Sequence, residues 1–198
     1  MQDFWNDRFA DKDFVYGKAP NDFFRQEIDK LSPGKLLLPA DGEGRNAVYA
    51  AKNGWEVTAV DYSTSARQKA LQLAKEFNTD INYELGNLAE HDFGVNRFDA
   101  AAFIYVHLPR SIISDVYQNV IRSLKTGGHI IVEVYSVNQL GRDSGGPKDK
   151  RVLYTEERLR NLLSGTKIHQ LEETEIDLSE GKFHNGKAMV IRALATVL

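Results

Sequence analysis

From Lys35 onward, short apolar runs of strand character alternate with stretches of helical periodicity, and few folds other than a helix-covered parallel sheet accept that alternation. Lys35 to Pro39 (KLLLP) is the first run, and a glycine-rich turn leads from it into a helix over Asn46 to Asn53, stopped by Gly54. Trp55 to Val60 (WEVTAV) is the second, ending at Asp61; Ser63 or Thr64 then caps a helix whose buried face is Ala66, Ala70, Leu73, Ala74 and Phe77. Ile81 to Leu85 and Phe98 to Val106 (FDAAAFIYV) follow. The latter is apolar without alternation, which places it at the centre of the sheet. Ile112, Val116, Val120 and Leu124 recur at helical spacing over Ser111 to Leu124, and Thr126-Gly127-Gly128 turns the chain into a strand over His129 to Tyr135. After a helix near Glu156 to Leu163, the chain alternates through Lys167 to Leu178 and Lys187 to Val197, on either side of a turn-rich stretch. The predicted fold is α/β, a doubly wound, mostly parallel seven-stranded sheet with a C-terminal antiparallel hairpin.

Two segments lie outside this rhythm. Residues 1–34 form an N-terminal extension in which Asn21 caps a helix carrying Phe24, Ile28 and Leu31, ended by Ser32-Pro33-Gly34. Ser136 to Leu153 has neither periodicity, holds Gly141, Gly145, Gly146 and Pro147, and is long enough to act as a lid. With no internal repeat or linker, residues 1–198 are expected to make one domain. Composition narrows the partners. The absence of cysteine excludes disulfides, thiolate ligands and a cysteine nucleophile, and fits a cytoplasmic setting. Met1 to Arg8 carries charges rather than a signal sequence, and no apolar run approaches a membrane span. A net charge of −3 with scattered lysine and arginine leaves no basic stripe for nucleic acid, so a small-molecule partner is expected. His91, His129 and His169 show no metal-ligand spacing, and no metal is predicted.

In the loop Ala40-Asp41-Gly42-Glu43-Gly44-Arg45-Asn46, Gly42 and Gly44 let a ligand approach backbone N–H groups. Asp61, closing the second strand, is placed to accept two hydrogen bonds from vicinal ribose hydroxyls, or to cap the helix that follows. Gly42-x-Gly44-x-x-Ala47 with a later acid also satisfies the dinucleotide fingerprint, so the loop alone leaves a nicotinamide-dependent oxidoreductase open. A terminal hairpin in place of a second, substrate-binding domain weighs against that reading.

LLLPADGEGRNAVYAA (36–51), VTAVDYS (57–63), FDAAAFIYVHLP (98–109) and LKTGG (124–128) resemble the successive motifs of class I S-adenosylmethionine-dependent methyltransferases. WNDRF (5–9), YGKAPNDFF (16–24) and GGPKDKRVLYT (145–155) are similar to the tellurite-resistance and thiopurine-methyltransferase-like group within them. The resemblance implies S-adenosyl-L-methionine as cofactor, held by Ala40, Asp41, Gly42, Glu43, Gly44 and Asn46. It also implies Asp61 and Tyr62 at the ribose and adenine, Asn87 and Leu88 at the adenine, and Phe103, Ile104 and Tyr105 beneath the sulfonium. Phe103 and Tyr105 could equally be core residues of a central strand. Leu38 stands where the family has an acid, and Ala40 where it has its first glycine. Alanine still allows close approach where its φ is negative, and Asp41 or Glu43 takes over the orienting carboxylate.

The implied function is methyl transfer to a small-molecule acceptor, with a soft S, Se or Te nucleophile as one class. A cofactor-binding regulatory module without turnover is the non-enzyme alternative. His107, just past the fourth strand, is the first candidate base, with His184 in the terminal turn and Tyr16 in the extension as further catalytic candidates. Trp5, Arg8 and Tyr16 either cover the active site or anchor the extension by burial. Arg142 and Lys148 either attract an anionic acceptor or are solvated loop charges.

Overall fold

The computed structural model describes residues 2–11 and 13–198. Its elements are α1 (Gln2–Phe9), α2 (Asp22–Ile28), β1 (Lys35–Pro39), α3 (Arg45–Lys52), β2 (Glu56–Asp61), α4 (Thr64–Glu76) and β3 (Asn82–Leu85), then β4 (Phe98–Ile104), α5 (Arg110–Ser123), β5 (Leu124–Tyr135), α6 (Glu156–Leu162), β6 (Thr166–Ser179) and β7 (Asn185–Val197). The strands make one seven-stranded sheet in the order β3-β2-β1-β4-β5-β7-β6. β3 through β5 are parallel neighbours, and β7 runs antiparallel to both β5 and β6. This is the doubly wound sheet with a closing hairpin expected from the sequence.

Strand periodicity sorts the core into two layers. Leu36, Leu38, Ala100, Ala102 and Ile131 face α2 and α3, where Phe23, Phe24 and Ile28 cover them. Leu37, Ala101, Phe103, Ile130 and Val132 face the other way, against Val116, Tyr117 and Val120 of α5 and Leu159 and Leu162 of α6. Small residues at Ala100, Ala101 and Ala102 let helices approach β4 from both sides, consistent with its central place. Strand order reverses between β1 and β4, and the crevice at the carboxyl ends of these strands is where such sheets bind ligands.

The caps behave as their chemistry requires. Asn21 Oδ1 accepts from Phe24 N at 2.9 Å, and Ser63 Oγ accepts from Ala66 N at 3.1 Å. Several local expectations need correction. β4 ends at Ile104 rather than Val106, because Tyr105 adopts φ 55°. α2 stops at Ile28, so Leu31 lies beyond it, and Phe77 follows α4 with its ring exposed beneath Lys52 Nζ at 4.3 Å. α1 was not foreseen. The stretch 136–153 contains two short 3-10 turns and is fixed at its ends by a bridge between Ser136 and Tyr154. Among the described residues, no helix is long and apolar enough to cross a membrane.

Ala40 takes φ 55°, so the negative φ at which an alanine still allows close approach is not met. The left-handed backbone crowds its Cβ, and Ala40 N is held there by a 2.7 Å bond to Val60 O. Ala40→Gly is expected to raise unfolding stability by about 0.5–1 kcal/mol, the relief of that crowding less the entropy of the added glycine. Urea denaturation of the two proteins checks it.

Candidate active site

The loop after β1 turns through three left-handed residues, Ala40, Gly42 (φ 58°) and Gly44 (φ 82°). Gly44 is required by packing, since a Cβ there would lie 2.5 Å from the Ala70 Cβ of α4. Gly42 is tied from both sides, donating its N–H to Asp61 Oδ2 at 3.1 Å and accepting from the Tyr83 hydroxyl at 2.7 Å. Asp61 Oδ1 accepts from Ser63 N at 2.9 Å, so this buried carboxylate braces the loop against the end of β2 while Ser63 does the capping. Burial raises the Asp61 pKa.

The two loop acids have different fates. Glu43 is saturated: Lys69 Nζ lies 2.7 Å from Oε1, and the N–H groups of Val15 and Tyr16 donate at 3.2 and 3.3 Å. Asp41 accepts from Asn46 Nδ2 and Ala47 N, both at 3.1 Å, and faces the cavity. Burial pushes its carboxyl up to about 7. Leu38, at the position of the missing acid, is buried against the α2 layer.

A cavity of about 650 Å³ opens at the carboxyl ends of β1, β4 and β5. Of the residues singled out in the sequence, it brings together Tyr16, Ala40, Asp41, Gly42, Glu43, Asn46, Ile104, Tyr105, His107 and His184. Trp5, Arg8 and Phe9 of α1 form one wall, and Lys148 and Lys182 stand at others. Gly44, Asp61, Tyr62, Asn87, Leu88 and Phe103 lie outside it. The ends of β2 and β3 are nonetheless adjacent, through Gly86 N donating to Asp61 O at 3.0 Å. Asn87 is exposed there, its Oδ1 accepting from Ala89 N at 3.2 Å, and Leu88 is buried in the α5-side core. Phe103 is packed as a core residue, stacked on Tyr117 with ring centroids 4.0 Å apart. Arg142 is engaged away from the cavity, paired with Glu175 at 2.8 Å.

The histidines differ in what remains free. His107 must carry its proton on Nδ1, because that atom lies 3.0 Å from the Val152 carbonyl, while Nε2 accepts from Tyr135 N at 3.2 Å. Both nitrogens are thus bound to backbone, and burial drives the pKa down to about 4. His184 is held through Nδ1 alone, 3.3 Å from Glu180 Oε2, and burial lowers its pKa. Tyr16 packs on His184 at 4.5 Å and accepts from Arg8 Nη1 at 3.4 Å, with its phenol pKa raised by burial.

Two carboxylates bound up in the network behind the cavity escaped the sequence reading. Glu133, fully buried on β5, accepts from Asn21 Nδ2 at 2.6 Å, Tyr105 OH at 2.7 Å and Arg192 Nε at 2.7 Å. Glu180 pairs with Arg45 at 2.8 Å and accepts from Asn21 Nδ2 at 3.0 Å. Their signals were an acid inside the apolar run IIVEVY and a glutamate four positions before a histidine in SEGKFHNG.

Residues 39–128 match the family model of a methyltransferase domain. The chain thus carries a methyltransferase domain. The methyltransferase fold extends over the whole chain, as solved structures show. One, from work on the conversion of a disulfide bond into a thioacetal group during echinomycin biosynthesis, aligns with TM-score 0.81 and 15% identity over 100% of this chain and 91% of that one. TehB from Haemophilus influenzae aligns with TM-score 0.75 and 17% identity over 100% of this chain and 67% of its own. An S-adenosylmethionine-dependent methyltransferase from Methanosarcina mazei aligns with TM-score 0.72 and 18% identity over 91% and 99%. Comparison with curated proteins gives no match.

The raised Asp41 carboxyl has a signed consequence for stability. Its pKa is 3.8 in an ordinary setting and about 7 in the folded methyltransferase, so the folded state binds this proton more tightly. The stabilisation it gives is complete below the lower value and is lost as pH rises through the higher one. The stability of the wild type relative to Asp41→Asn is therefore expected to fall between pH 4 and pH 7, a slope that denaturation at stepped pH measures.

Proposed function

We propose that this methyltransferase acts on a small molecule held in the cavity under α1, and that the methyl acceptor is a soft sulfur, selenium or tellurium atom. The observation that carries the reading is the cavity itself. Its volume of about 650 Å³ suits a small ligand, and it adjoins the cofactor loop through Ala40, Asp41 and Gly42. Aromatic faces from Trp5, Phe9, Tyr16, Tyr105 and Tyr135 wall it, and Arg8, Lys148 and Lys182 add positive charge. Such walls favour a polarisable acceptor carrying negative charge or an acidic X–H, whose proton a nearby base removes readily.

The residues present fit the cofactor. When bound, S-adenosylmethionine supplies an electrophilic methyl group on a sulfonium whose thioether is already a good leaving group. Asp41 is the carboxylate for the methionyl ammonium, because Leu38 is apolar and both oxygens of Glu43 are taken. Asp61 and Tyr62 at the end of β2, with Asn87 beside them after β3, serve the nucleoside, while the Leu88 side chain packs in the core. Tyr16 and Tyr105 present aromatic faces able to stabilise positive charge at sulfur. α1 and the stretch 136–153 exclude water from the reacting atoms. Of the candidate bases, His107 has no lone pair left, and the role passes to His184.

Calorimetric titration is expected to show S-adenosylmethionine and S-adenosylhomocysteine binding, weakened at least about 10-fold in Asp61→Asn by loss of a charge-assisted contact. Unchanged affinity in that variant removes Asp61 from the site. Mass spectrometry of products should then find methylation of thiols, selenols or tellurite ahead of catechols and amines. Arg8→Ala is expected to raise KM for an anionic acceptor several-fold while sparing a neutral one. Products from oxygen or nitrogen acceptors alone would refute the soft-nucleophile reading, and no product from any of them would refute the small-molecule one.

A further inference from the structure

We propose that Glu180 is the positioning residue of this enzyme's base: its buried carboxylate grips the His184 imidazole at Nδ1 and leaves Nε2 as the nitrogen that takes the acceptor's proton. The proposal rests on reading the cavity as the acceptor site.

The turn between β6 and β7 builds the pair. Glu180 N donates to His184 O at 2.8 Å, closing the turn so that the two side chains converge. Both are about nine-tenths buried. Every polar group around the carboxylate favours its charged form: Arg45 Nη2 lies 2.8 Å from Oε2, His184 Nδ1 lies 3.3 Å from the same oxygen, and Asn21 Nδ2 donates to Oε1 at 3.0 Å. The imidazole is wedged among Tyr16, Tyr105 and Tyr135, with ring centroids 4.5, 4.7 and 5.5 Å away. Arg45, Glu133 and His107 complete the charged and titratable surroundings. Gly145 lies against the far edge of the ring, where a Cβ would come within 2.9 Å of His184 Cδ2. Among the described residues, no protein hydrogen bond reaches His184 Nε2. That separates it from His107, which is bound at both nitrogens.

A carboxylate accepting from Nδ1 fixes the neutral ring as the Nδ1–H tautomer, puts the lone pair on Nε2, and stabilises the imidazolium once formed. In the step this allows, Nε2 takes the proton of an acceptor X–H, and the lone pair freed on X forms the bond to the methyl carbon. The carbon–sulfur pair leaves with the thioether, and the imidazolium returns its proton to solvent. Because Arg45 of the cofactor loop shares the same carboxylate, the base and the loop hang from one anchor.

Nuclear magnetic resonance of the histidine rings tests this without any acceptor. The His184 signals are assigned by their loss in His184→Gln and followed from pH 4 to pH 9. The expected result is a neutral His184 protonated on Nδ1, whose titration midpoint falls by about one pH unit in Glu180→Gln, where the shape is kept and the charge removed. Glu180→Asp, which keeps the charge, is expected to give a midpoint between the two. A wild-type ring protonated on Nε2, or a midpoint unmoved in either variant, overturns the proposal, and the wild-type measurement stands even if both variants fail to fold. A tautomer as expected with no product from any acceptor would refute the acceptor reading alone. Product formed by a wild type with the other tautomer would refute the dyad alone.

Discussion

The carboxylate of Glu43 lies almost wholly out of water in the middle of the cofactor loop, 2.7 Å from the ammonium of Lys69. A charge so placed is tolerated only if donors surround it, and here they come from three separate parts of the chain. Lys69 belongs to α4, and the N–H groups of Val15 and Tyr16 belong to the segment that carries the extension back from α1. Lys69 spends another proton on the Asp13 carbonyl at 2.5 Å. The glycine loop, α4 and the N-terminal extension are therefore held by one buried ion pair. Removing either partner would strand the other, at a cost of about 3–5 kcal/mol. Phe9 resting on Gly42, at 3.2 Å from where a Cβ would stand, uses the space that glycine leaves.

The other wall of the site rests on Glu133 and Glu180, which Asn21 joins by donating to both. Asn21 caps α2 with its oxygen and has its own N–H fixed by Asn46 Oδ1 at 2.9 Å. One short amide thus ties a helix start, the cofactor loop, the middle of the sheet and the terminal turn. Arg192, 4.7 Å above the Phe23 ring, balances Glu133 from β7. The distribution of partners explains why the site is assembled from residues more than a hundred positions apart: buried carboxylates need several donors, and only tertiary structure delivers them.

Legibility in the sequence followed from how local the physics was. Strand periods, the central place of FDAAAFI, the caps at Asn21 and Ser63 and the turn of the cofactor loop are set within a few residues, and the sequence showed them. Tyr105 shows where such reasoning stops. Alternation alone puts it on the same face as Phe103, toward α5, yet a left-handed φ of 55° turns it out of the strand so that its hydroxyl meets Glu133. A strained backbone at the edge of a site is held by its surroundings, here the bonds from Tyr105 N to Glu133 O and from the phenol to the carboxylate. His107 and His184 make the same point. Both occupy promising sequence positions, but backbone groups of Val152 and Tyr135, distant along the chain, consume the first.

The proposed division between cofactor and acceptor runs along the chain as well as through space. The stretch 39–128 that matches the methyltransferase family model contains the glycine loop, Asp61, Asn87 and the central strand, the parts proposed for the cofactor. Arg8, Tyr16, Lys148, Glu180, Lys182 and His184 all lie outside it, in the extension, the long loop and the terminal turn. The fold can therefore persist at 15–18% identity to solved structures, because a packed sheet constrains hydrophobic pattern far more than side-chain chemistry at its rim. The segments at the rim of the site are anchored to the sheet through Glu43, Glu133 and Glu180, and these buried, fully partnered carboxylates give the rim a fixed geometry.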